Sequence, residues 1–124
     1  MLNKIDVSEM VRMVFSKVER GEFNGNDAII FTSKYPELAD LYLAHIQDCC
    51  EQVYIESIVG DLNDLVGVPI LKAEESSNFK GDTEQGSETW TFYKFATIKG
   101  YVDIRFYGSS NGYYSESVDL FFLE

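Results

Sequence analysis

The chain has very little with which to build a familiar reactive centre. It contains one histidine and two cysteines, and the cysteines are neighbours. Adjacent thiols cannot staple distant segments, and a bond between them would bend the peptide they share, so reduced thiols are the expectation. Basic residues are also scarce: 10 Lys and Arg against 21 Asp and Glu leave a net charge of −11. That balance argues against direct nucleic-acid binding, which needs clustered cations to neutralise phosphates. No apolar run approaches the roughly 18 residues of a membrane span. The opening MLNKIDVSEM lacks the apolar stretch of an export signal, which points to the cytosol.

What is present is a large apolar and aromatic fraction, 45% and 15% of the 124 residues, enough for the core of a single domain spanning residues 1–124. Val7, Met10, Val11, Val14 and Val18 recur at helical spacing, Asp6 and Glu9 fit a capping box, and Gly21 offers a stop. These predict a first helix over about 7–20. Asn24-Gly25-Asn26-Asp27 reads as a turn leading into a strand over 28–32. Residues 37–46 fit helix or strand equally, and the reading preferred is a strand over 41–46 hairpinned to the one before it.

Asp48 and Glu51 repeat the capping-box spacing, and Cys50, Val53, Tyr54, Ser57 and Ile58 would form one face of a second helix closed by Gly60. A further helical turn is expected over 61–67, then a strand over 70–74. Residues 75–87, rich in Ser, Gly, Asn and acids, read as a mobile loop. Strands over 89–97 and 101–107 turn at Ile98-Lys99-Gly100, and in the second Val102, Ile104 and Phe106 alternate with Asp103, Arg105 and Tyr107. A strand over 117–122 would close the same sheet. The sum is an α+β fold with helices on one face of a mainly antiparallel sheet.

The stretch HIQDCCE gathers His45, Asp48, Cys49, Cys50 and Glu51, residue types that could ligate zinc or supply a nucleophile. No second Cys or His pair exists to complete a tetrahedral site, and the flanking carboxylates favour the neutral thiol. The expectation is therefore a capped helix start with the cysteines packing as small hydrophobes, no cofactor and no enzymatic activity. The aromatic segments around Trp90, Phe92, Tyr107, Tyr113 and Tyr114 could stack bases, but they lack a basic groove. A protein interface suits them better.

The segments QDCCE (47–51), the Gly60 to Leu71 stretch, TWTFY (89–93) and NGYYSESV (111–118) resemble an uncharacterised family of small bacteriophage and prophage proteins, over about 47–120. The resemblance implies a cytoplasmic setting in an infected bacterial host. It also implies a non-enzymatic binding protein of the anti-CRISPR or other anti-defence kind, acting on a host protein with a basic surface such as a CRISPR effector. Asp61, Asp64, Glu74, Glu75, Asp82, Glu84, Tyr113 and Tyr114 would form the contact surface, with carboxylates standing in for phosphates. A metal- or thiol-dependent role for the His45 to Glu51 cluster, and a structural or regulatory oligomer, are the alternatives.

Overall fold

The computed structural model describes residues 1–83 and 86–124. Its strands are β1 (Leu2–Ile5), β2 (Phe15–Phe23), β3 (Asn26–Ser33), β4 (Leu41–Ala44), β5 (Gln52–Val59), β6 (Lys72–Thr83), β7 (Gly86–Thr97), β8 (Gly100–Ser110) and β9 (Asp119–Leu123). Two 3-10 turns, Val7–Met10 and Leu62–Leu65, are the helical elements among the described residues. Five strands form one sheet in the order β1-β9-β4-β3-β2, and four form another in the order β5-β8-β7-β6, with every ladder antiparallel.

This overturns the α+β expectation: the fold is an all-β sandwich. Its core lies between the sheets, where Phe15, Val18, Phe31, Leu43 and Leu120 meet Val53, Ile55, Phe95, Val102, Ile104 and Phe106. Phe31 and Phe95 touch across the gap edge to face, 5.6 Å between centroids. Such an interior needs period-two alternation on both inner faces.

Neither predicted helix forms. The Asp6 and Glu9 capping box is present, but it starts a single 3-10 turn that ends as Arg12 takes a positive φ of 80° and donates its N–H to the Ile70 carbonyl. Four of the five residues behind the helical pattern are β-branched valines, which favour a pleated surface. Residues 52–59 read just as well as alternation: Val53 and Ile55 point inward, Gln52, Tyr54 and Glu56 outward. Residues 75–83 are not a loop but the body of β6, paired with β7 from Lys72↔Ala96 to Lys80↔Glu88. β9 closes the five-stranded sheet between β1 and β4, not the sheet of its sequence neighbours.

Other expectations hold. Asn24 and Gly25, with φ of 49° and 85°, make the tight turn joining β2 to β3, where both central residues need positive φ. β4 pairs with β3 as anticipated, Tyr42 opposite Ile30. The turn over 61–67, the β7–β8 hairpin and the buried Val102, Ile104 and Phe106 all form as expected.

Candidate functional site

The HIQDCCE stretch is where the chain crosses from one sheet to the other. His45, just past β4, points into the sandwich and is 2% exposed. Its Nδ1 lies 2.6 Å from the Ser117 carbonyl and its Nε2 2.6 Å from Glu51 Oε2, so both ring nitrogens face acceptors. Glu51 is equally buried and accepts from the backbone N–H of Asp48 at 2.8 Å and of Cys49 at 2.9 Å. Burial alone would raise its carboxyl, but the two amides and the imidazole favour the ionised form and hold it down at about 2. Gln47 braces the loop from outside, donating to the Cys49 and Glu51 carbonyls and accepting from Asn26.

The reciprocal half of the second capping box therefore exists, Glu51 reaching back to the Asp48 amide, with no helix behind it. Cys49 and Cys50 are not packing residues. Both are exposed, and they are joined to each other as a disulfide, against the expectation of reduced, buried thiols. Nor do His45, Asp48, Cys49, Cys50 and Glu51 converge: His45 and Glu51 turn inward onto each other while Asp48 stays at the surface. Among the described residues no group of three or more His, Cys, Asp or Glu is placed to hold a metal ion. The cluster is a clamp on the crossing.

A second buried carboxylate, which no sequence motif marks, works beside it. Glu116, 5% exposed, accepts from Ser87 Oγ at 2.5 Å, Thr89 Oγ1 at 2.7 Å and Ser110 Oγ at 2.5 Å. Gly108 makes the room, since a Cβ there would stand 2.8 Å from the Glu116 Cβ. Glu116 and the Ser117 carbonyl thus pin one segment to both sheets.

The acidic candidates do not form one patch. Asp61 caps the second 3-10 turn and Asp64 sits within it, beside Thr97 at one end of β7. Asp82 falls at the far end of β6, next to the opposite end of β7, and Glu84 lies outside the described residues. At about 3.3 Å per residue those ends are on the order of 35 Å apart. Glu74 and Glu75 are successive residues of one strand and point to opposite faces. Tyr113 and Tyr114 meet edge to face, 5.0 Å between centroids, in the connection leading to β9, and Tyr113 is 84% exposed.

What the structure does bring together is the outer face of the four-stranded sheet. Tyr54, Tyr107, Trp90 and Asn78 sit side by side across β5, β8, β7 and β6. The Tyr54 and Trp90 rings lie 5.6 Å and 5.4 Å from that of Tyr107. Tyr54 is 42% exposed and the other two are half-buried. The Tyr107 hydroxyl donates to Glu88 at 2.8 Å; that bond, then burial, pushes it up to about 12 and keeps it a neutral donor. In the next row Arg105 meets Glu56 at 2.6 Å beside Phe92, and Asp103, Lys94 and Glu74 come after. Acids and bases alternate along this face, so it is close to neutral in a strongly acidic protein. The clue in the sequence was the outward parity of Tyr54, Trp90 and Tyr107, legible only once residues 52–59 are taken as a strand.

No curated protein and no solved structure matches the chain. A family model does: it covers residues 5–120, reaching well ahead of the signatures that begin at residue 47, and the chain accordingly belongs to the family described as a domain of unknown function (DUF7448).

Proposed function

We propose that this protein is a non-enzymatic binding protein whose recognition surface is the outer face of the four-stranded sheet, and that its partner is another protein. The observation that carries the reading is the Tyr54–Tyr107–Trp90 row, held in contact and left partly open in the middle of a sheet face. Aromatic side chains offer large contact area at low entropic cost and dominate the energetics of protein interfaces. The flanking Arg105–Glu56 pair, Lys94 and Asp103 supply a mixed-charge rim. A nucleic acid would ask for a basic surround, which a face of alternating sign does not provide.

The phage setting implied by the QDCCE, TWTFY and NGYYSESV segments supports a binding role, since small phage proteins without a reactive centre commonly act on host machinery. The acids do not gather on this face, so mimicry of nucleic acid by an acidic patch is not the mechanism proposed.

The test uses a photo-crosslinking phenylalanine analogue placed at Tyr54 and, separately, at Tyr42 on the opposite outer face. In bacterial lysate the Tyr54 probe should capture one protein that the Tyr42 probe does not, and purified partner should shift the fluorescence of Trp90, the single tryptophan. Equal capture from both faces, or none from Tyr54, would end the reading.

A further inference from the structure

A sheet edge is a row of unpaired backbone donors and acceptors, and proteins blunt such edges to avoid unwanted pairing. Three of the four edges are blunted here. β1 is four residues long. β2 carries a register shift between Phe15 and Lys17, and its Phe15 carbonyl is taken by the Gly67 N–H at 2.8 Å. β5 is irregular between Ile55 and Ser57; the Ile55 N–H donates to Asp27 Oδ2 at 2.9 Å and its carbonyl accepts from Arg20 at 3.4 Å.

The Val7–Met10 turn lies beside β6 but takes none of its backbone hydrogen bonds. From Glu74 to Lys80 every residue is exposed, no proline interrupts it, and its register shift comes only after Lys80. Among the described residues no backbone hydrogen bond leaves β6 other than its ladder with β7.

We propose that β6 pairs antiparallel with β6 of a second copy of this chain, about a two-fold axis through Ser77. On the outer face the sequence Glu74-Glu75-Ser76-Ser77-Asn78-Phe79-Lys80 is self-complementary in that register, while on the inner face Glu75 stands opposite Phe79. Glu74 of one copy stands opposite Lys80 of the other, twice by symmetry, and Ser76 stands opposite Asn78, all on the outer face. A slip of two residues one way sets Lys72 against Lys80; a slip the other way leaves Lys80 facing Ser76. The charge pattern therefore selects one alignment. Phe79, 71% exposed on the inner side, would lose exposure against the partner strand. Such pairing is isologous and closes at two copies, which turns an aggregation hazard into a defined assembly. It also joins the two outer faces into one eight-stranded surface carrying the aromatic row twice. The proposal does not depend on what that surface binds.

Sedimentation velocity across the micromolar range tests it. The wild-type chain should sediment at twice its 14.1 kDa with rising concentration. Lys80→Glu, which creates two Glu–Glu oppositions, should weaken association by roughly tenfold or more. Adding Glu74→Lys to Lys80→Glu should restore it, while Glu74→Lys alone should weaken it as Lys80→Glu does, a second test should that variant fold poorly by circular dichroism. A wild-type protein that stays a single chain throughout, a dimer indifferent to both single substitutions, or a double variant that fails to recover would each overturn the proposal.

Discussion

Both outer faces of the sandwich carry clustered aromatic rings, and they have opposite fates. On the five-stranded sheet, Phe23, Tyr42 and Phe121 interlock at 4.8 to 5.6 Å, and Phe121 is fully buried although it points away from the central core. Small residues permit this. Gly21, Ala28 and Ala44 lie in register beside the rings, and a Cβ on Gly21 would stand 2.8 Å from Ile30 Cδ1. That face has made itself a second small core, with Ile30 and Ile46 packed against it. On the four-stranded sheet, Arg105, Glu56 and Glu88 stand among Tyr54, Tyr107 and Trp90, and charged neighbours keep the rings in reach of water. Rings over glycine and alanine collapse into structure; rings among salt bridges remain available.

That contrast can be broken in order of severity. Both faces rest on the crossing held by Glu51, so Glu51→Ala, which orphans two partly buried amides and the buried His45 ring, should cost on the order of 3–5 kcal/mol in urea denaturation and loosen both alike. Phe121→Ala should cost about 3–4 kcal/mol by opening a cavity in the closed cluster, and should leave partner capture intact wherever the variant is folded.

Acid separates the clamp from the faces. The Glu51 carboxyl is depressed in the folded protein, so its contribution is whole above the ordinary value of 4.5 and drains away as pH falls toward about 2. Thermal midpoints should drop more steeply through that window for wild type than for Glu51→Gln. The smallest stability effect belongs to the open face: Tyr54→Ser should change unfolding by less than about 1 kcal/mol while lowering partner affinity about tenfold or more. If Tyr54→Ser proved as costly as Phe121→Ala, the two faces would not differ in kind.

How much of this was legible depended on whether a residue's neighbours are local. The Asn24-Gly25 turn, the β7–β8 hairpin and the inward Val102, Ile104 and Phe106 are short-range features, and the sequence pattern reveals them correctly. The capping boxes were also real, but a capping box reports that a turn begins, not how far a helix runs beyond it: one opens a single 3-10 turn and the other half-forms at a crossing. β6 was hidden for a different reason. With both faces wet it has no apolar alternation, and only its ladder to β7 makes it a strand. The pairing of His45 with Glu51 was in view as spacing, yet its depth was not, because Ser117 comes from 72 residues away.

The place of β9 has one more consequence. The last strand in chain order fills the gap between β1 and β4, so on the ribosome the five-stranded layer stays unfinished until β9 itself has been made. Early-made segments would wait with apolar faces uncovered, and pairings as distant in sequence as Leu2 with Leu123 make for slow closure. A nascent chain of this design depends on how soon β9 follows the strands that await it, or on a chaperone that shields them.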